Sequence, residues 1–174
     1  MKDGKDGQSV RFAIVRSRFN DPITRALQDG ARKALTAAGV PARDIECVEV
    51  PGAFELPLAA LWLARSSRYA AIICLGCVIR GQTPHFEYVA GEAARGISAV
   101  ALSTGVPVIF GVLTTEDEKQ AWARAAATAD APAQHVGEPG KGNKGFEAAQ
   151  AALQMVELRK AIGETAAAKS NAKG

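Results

Sequence analysis

Apolar residues are arranged along this chain in two alternating patterns. Continuous apolar runs of strand length occur at Val10–Arg16, Ile45–Val50, Tyr69–Cys77 and Pro107–Leu113. Between them the apolar positions recur every three or four residues, the spacing of a helix with one buried face. Ile23, Ala26, Leu27, Ala31, Ala34 and Leu35 form the first stripe. Asp21 reads as its N-cap, Pro22 as its first helical residue and Gly39 as its stop. Pro51-Gly52 turns the chain into a second helix, from Phe54 to about Ser66, where Pro57 is tolerated because it lies in the first turn. Thr83-Pro84 opens a third helix with Val89, Ala93, Ile97, Val100 and Ala101 on one face. Thr115 and Glu118 read as a capping box for a fourth helix, which fades near Ala129. Asp130–Lys144 is rich in Pro, Gly and polar residues and reads as a loop. Phe146–Ile162 is a last amphipathic helix.

Strands that are apolar throughout must be covered on both faces, so the alternation predicts a parallel sheet between two layers of helices. The expected fold class is α/β: a three-layer α/β/α arrangement around a four-stranded parallel sheet, flavodoxin-like. One domain spans residues 10–163. Residues 1–9 are polar and Gly-rich and are expected to be flexible. Residues 164–174 are Ala/Lys-rich without a stripe and are expected to be disordered. The chain has no internal repeat.

Composition narrows the function classes. No apolar run is long enough to span a bilayer, and the first nine residues have the pattern of neither a signal nor a transit peptide. A cytoplasmic location is the expectation. The net charge is +3 with scattered basic residues, unlike the concentrated basic face of a nucleic-acid binder. The three cysteines are Cys47, Cys74 and Cys77, too few and unpaired for a disulfide framework. Cys74 and Cys77 form a C-x-x-C, but within a strand rather than at a helix start. Positions three apart on a strand face opposite ways, so two buried small residues are expected, not a redox pair or half a zinc site.

In such folds ligands bind beyond the carboxyl ends of the strands, which singles out four loops. Ser17-Arg18-Phe19-Asn20 offers an aromatic platform or a lid on the core. In Pro51-Gly52-Ala53-Phe54-Glu55 the small residues let backbone amides approach a ligand. Glu55 suits either a helix start or a polyol chain. Gly81-Gln82-Thr83-Pro84-His85 joins a strand end to a helix N-terminus, where free amides favour a phosphate. His85 lies there at the ligand-binding edge and is the side chain suited to exchanging a proton near neutral pH. Thr114-Thr115 is the fourth. His135, in the long polar loop, reads as a solvated residue. Gly137–Gly145 lacks the Gly-Lys-Ser/Thr of a P-loop. A phosphoacceptor receiver domain would want acids where this chain has Arg16 and Arg18.

Taken together, these loops resemble the lumazine synthase family. The matching stretches are Ser17-Arg18-Phe19-Asn20, Val50-Pro51-Gly52-Ala53-Phe54-Glu55, Gly76-Cys77-Val78-Ile79-Arg80-Gly81, Thr83-Pro84-His85-Phe86-Glu87-Tyr88, Pro107-Val108-Ile109-Phe110-Gly111 and Gly142-Asn143-Lys144-Gly145. They occur in the family's order over nearly the whole chain. The resemblance implies condensation of 5-amino-6-(ribitylamino)uracil with 3,4-dihydroxy-2-butanone 4-phosphate, without metal or cofactor. It implies that Phe19 stacks on the pyrimidine, that Ala53, Phe54 and Glu55 meet the ribityl chain and ring, and that Cys77, Val78 and Ile79 line the pocket through their backbone. It implies that Gln82, Thr83 and Arg124 hold the phosphate and that His85 transfers protons. Phe110 and Arg124 are expected from a neighbouring subunit of a homo-oligomer, and Lys144 stands near the pocket. The segment between Arg124 and Gly142 is longer than in the family's shorter members, and a free pentamer rather than a sixty-subunit shell is expected from it. Two other readings are a non-catalytic lumazine- or flavin-binding paralogue and a flavodoxin-like electron carrier.

Overall fold

The computed structural model describes residues 10–126 and 142–171, with side chains to residue 163. Four strands form one parallel sheet: β1 Phe12–Ser17, β2 Ile45–Val50, β3 Ala71–Ile79 and β4 Val108–Thr115. Their order is β2-β1-β3-β4. This is the doubly wound order, with its switch point between β1 and β3. The helices are α1 Asp21–Ala37, α2 Leu56–Arg65, α3 His85–Thr104, α4 Glu118–Ala125 and α5 Lys144–Asn171.

The apolar runs became strands because both faces of the sheet are covered. On one face Phe12, Ile14 and Ile73 meet Leu27, Ala31 and Leu35 of α1, Ala121 of α4 and Ala149 and Ala152 of α5. On the other, Ala13, Val15 and Ile72 meet Leu56, Ala60 and Ala64 of α2 and Ala93, Ile97 and Val100 of α3. All six residues of β1 are buried. The expected three-layer architecture is therefore the one found.

The seam between α1 and α5 is very close. A Cβ added at Gly145 would lie 1.9 Å from the carbonyl oxygen of Leu27, so only glycine fits there. A Cβ at Gly30 would lie 2.1 Å from the side-chain oxygen of Asn143. Asn143 itself caps α5: its side-chain oxygen accepts from the Phe146 amide at 3.0 Å.

Several element ends differ from expectation. Asn20, not Asp21, occupies the cap of α1, in a left-handed conformation (φ 56°). Its carbonyl takes the amides of Ile23 and Thr24. Residues 53–55 form a separate 3-10 turn before α2. Thr115 does not cap α4. It ends β4, and Asp117 accepts from the Gln120 amide at 2.7 Å in its place. Fourth-helix structure ends at Ala125, before Ala129. The last helix, α5, is described as far as Asn171, past the end of its apolar stripe at Ile162. The expected flexible start (1–9), His135 and the expected loop up to residue 141 lie outside the described residues.

Arg16 was read from the sequence as a strand-end charge and is instead fully buried. It donates to Asp21 Oδ1 at 2.6 Å and Thr24 Oγ1 at 3.0 Å, and pairs with Glu49, its neighbour in β2. Thr24 Oγ1 also donates to the Ser17 carbonyl at 2.8 Å. These bonds hold the turn from β1 into α1 closed from beneath.

Candidate active site

The carboxyl ends of β1, β2 and β3 open onto a cleft of about 600 Å³, within the range of small-molecule sites. Its walls come from three of the loops chosen from the sequence. Phe19 follows β1, Gly52–Glu55 follow β2, and Cys77–Ile79, Gly81, Thr83 and His85 belong to the end of β3 and the start of α3.

Phe19 is 70% exposed. Core packing therefore does not hold its ring, and the backbone does. The Arg18 amide donates to the Val50 carbonyl at 2.8 Å, and the Phe19 amide to the Pro51 carbonyl at 3.1 Å. The β1–β2 ladder is thus extended past the strands and carries Phe19 beside the Gly52–Glu55 turn. Within that turn Glu55 Oε2 accepts the Gly52 amide at 2.9 Å. Glu55 therefore has a structural partner at this helix start, and it remains exposed at the cleft. Phe54 is also exposed.

Strand β3 outruns β1. Their pairing ends at Arg16 and Leu75, whereas β3 pairs with β4 as far as Ile79 and Thr115. Beyond Leu75 the edge of β3 on the β1 side is no longer covered by a strand. Backbone amides and carbonyls at such an edge need partners, and this is where Cys77–Ile79 line the cleft. The Asn20 side-chain amide donates to the Cys77 carbonyl at 3.0 Å.

Thr83 and His85 are exposed around the start of α3. Free amides and the positive end of a long helix favour an anion at that position. Arg80 ties this turn to the neighbouring loop. Its guanidinium pairs with Glu87 and with Glu116, the latter at 2.7 Å, and lies 4.2 Å from the centre of the Phe86 ring. The Arg80 bond to Glu87 holds that carboxyl below its ordinary pKa.

Cys74 and Cys77 belong to opposite faces of the sheet, Cys74 to the α2/α3 side and Cys77 to the α1 side. They form no redox pair. Burial pushes both thiols up to about 12, with the Glu118 charge adding to the effect at Cys77.

Four of the expected site residues are not brought to the cleft. Phe110 lies on the edge strand β4, beside Cys74, and is half exposed. Arg124 is on α4 and donates from Nη1 to the Gln120 carbonyl of its own helix at 2.8 Å. Lys144 starts α5 and pairs with Glu147 at 2.7 Å. Gln82 lies between Gly81 and Thr83 but does not line the wall. Conversely, Phe86, Tyr88 and Val89 line the cleft without having been singled out, and Gly52 and Gly81 join them from loops already chosen. Helix spacing could have found two of them, because Tyr88 and Val89 are three and four residues past His85 and share its face.

A cleft at the switch point of a doubly wound parallel sheet, lined by an exposed aromatic and a histidine at a helix start, is the arrangement of a small-molecule-binding α/β fold. The chain belongs to the 6,7-dimethyl-8-ribityllumazine synthase family, whose sequence model matches residues 9–160. It is 50% identical over 155 residues to the 6,7-dimethyl-8-ribityllumazine synthase of Syntrophus aciditrophicus (strain SB), covering 89% of this chain and 93% of that relative.

Proposed function

We propose that this protein is the lumazine-forming enzyme of riboflavin biosynthesis, and that the cleft described above is where its two substrates meet. The observation that carries this reading is the convergence of Phe19, Ala53–Glu55, Cys77–Ile79, Thr83 and His85 on one cleft. Those are the residues to which the family resemblance gives ring stacking, ribityl binding, phosphate binding and proton transfer.

The reaction suits the inventory. The primary arylamine of 5-amino-6-(ribitylamino)uracil attacks the ketone of 3,4-dihydroxy-2-butanone 4-phosphate, and water leaves as the imine forms. Phosphate is then eliminated and the enol tautomerises to a ketone. The ribityl-bearing nitrogen attacks that ketone, and loss of a second water closes the ring. No electrons are exchanged with a third reactant. The amine is already a good nucleophile, so alignment of the two substrates supplies much of the catalysis. His85 moves protons next to the leaving phosphate, which is bound at the start of α3 by Thr83 and the free amides there.

Phe110 and Arg124 are assigned to the pocket of an adjacent subunit, so the working unit is a homo-oligomer, a pentamer being the proposed state. Exposed Leu58 and Trp62, one turn apart on α2, support self-association, since apolar side chains grouped on one exposed face mark interaction sites. An arginine brought across such a contact gives the phosphate charge-assisted, bidentate hydrogen bonds. The proposed compartment is the cytoplasm. Among the described residues no helix is long and apolar enough to cross a membrane.

Mixing the two substrates with purified protein and following lumazine fluorescence tests the activity directly. Product formation no faster than the protein-free reaction overturns it. Native mass spectrometry tests the pentamer, and a monomeric mass overturns the shared site.

A further inference from the structure

We propose that Asn20 is a positioning residue that sets the width of the slot for the flat pyrimidinedione ring, an inference that rests on the function proposed above. The slot has two sides: the ring of Phe19 and the uncovered backbone edge of β3 at Cys77–Ile79. One side is secured to β2, because Arg18 and Phe19 donate to the carbonyls of Val50 and Pro51. Toward β3 the ladder has already stopped at Leu75. Asn20 bridges that gap with its side-chain amide, 3.0 Å from the Cys77 carbonyl.

Two demands meet at this position, and few residues satisfy both. The backbone is left-handed, at φ 56° and ψ 45°, a region costly for most L-residues but tolerated by Asn, Asp and Gly. The side chain must also donate a hydrogen bond to a carbonyl. Glycine satisfies only the first demand. Aspartate satisfies the first and sets an acceptor against an acceptor. Asn20 does not itself line the cleft, so it acts on the ligand through Phe19 and Cys77 and not by contact.

The same residue is built into the start of α1. Its carbonyl accepts the amides of Ile23 at 3.0 Å and Thr24 at 3.1 Å. Those bonds use only the backbone and survive a change of side chain that keeps the left-handed conformation. Asn20→Gly therefore removes the bridge to β3 while sparing the helix cap.

The experiment compares wild type, Asn20→Gly and Asn20→Asp by steady-state kinetics, varying each substrate separately, with melting temperatures recorded alongside. The expected result for Asn20→Gly is a KM for the pyrimidinedione raised about three- to tenfold, the effect of one net hydrogen bond. The KM for the ketone phosphate stays within about twofold of wild type, because its site lies at the start of α3. Asn20→Asp raises the pyrimidinedione KM further. An unchanged pyrimidinedione KM in both variants overturns the inference. So does a parallel rise in both KM values that tracks a fall in melting temperature, the signature of a merely structural role. Wild-type turnover separates the two levels: no lumazine from wild type overturns the function itself, whereas an active wild type with indifferent Asn20 variants overturns only the role of Asn20.

Discussion

The side-chain amide of Asn143 donates to the carbonyl of Ala26 at 2.8 Å, across 117 positions of sequence. The same nitrogen donates to the carbonyl of Ala125 at the end of α4. One residue thus caps α5 and fastens it to both α1 and α4. Asn143→Ala removes the cap and leaves two part-buried carbonyls without this donor. The expected cost is about 2–3 kcal/mol, combining a lost N-cap with unsatisfied polar groups. Gly145→Ala is expected to cost more, because its Cβ would overlap the Leu27 carbonyl and the helices would have to part. Urea unfolding measures both, and a change below about 0.5 kcal/mol for Asn143→Ala, the level of an ordinary surface substitution, contradicts this account.

His85→Ala is expected to fold normally, since His85 is exposed, and to lose roughly two to four orders of magnitude in turnover, the usual worth of general acid–base help. Arg124→Ala is expected to raise the KM for the ketone phosphate well above its effect on the pyrimidinedione. Co-refolding the two variants together tests the shared site. If His85 and Arg124 come from different subunits, mixed oligomers contain some pockets with both residues intact, and activity reappears. A mixture no more active than the separate variants places both residues in one subunit's site.

Acid should weaken the turn that carries Phe19. Asp21 is bonded by Arg25 and by buried Arg16, and these bonds lower its pKa from the ordinary value of 3.8. A carboxyl whose pKa is depressed by folding adds stability above its unfolded pKa, and that stability is lost as pH falls through the folded value. The urea midpoint should therefore be insensitive to Asp21 above about pH 5 and fall through the window below about pH 4. Asp21→Asn should be less stable near neutrality and show a shallower acid decline. Identical pH slopes for the two proteins would exclude this pair of contacts as the cause.

Thiol chemistry gives an independent view of the cleft floor. With both thiols pushed up to about 12 and buried on opposite faces of the sheet, Cys74 and Cys77 should resist a disulfide reagent at pH 8. Half-buried Cys47 should be the residue that reacts first. Unfolding in denaturant should release the other two. Rapid labelling of Cys77 in the native protein would mean that the end of β3 opens, and that the cleft wall is less rigid than its pairing with β4 implies.

Local pattern alone determined the order of strands and helices, the parallel sheet with its two helical layers, and the loops that form the cleft. Those properties follow from periodicity, from Pro and Gly at element ends, and from the rule that ligands sit beyond strand termini. Phe19, Glu55 and His85 were legible as candidates for the same reason: each lies in a loop beyond a strand end, and all three line the cleft. Only tertiary structure decided that Arg16 is buried between Asp21, Thr24 and Glu49, because a charge at a strand end looks the same in sequence whether it meets water or a neighbouring strand. It alone decided that β3 runs past β1, which exposes the Cys77–Ile79 edge and gives the Asn20 amide its partner. It also decided that the Asn143 motif ties helices together. Each of these depends on which distant segments lie side by side, and a one-dimensional apolar pattern specifies that a face is covered without specifying what covers it.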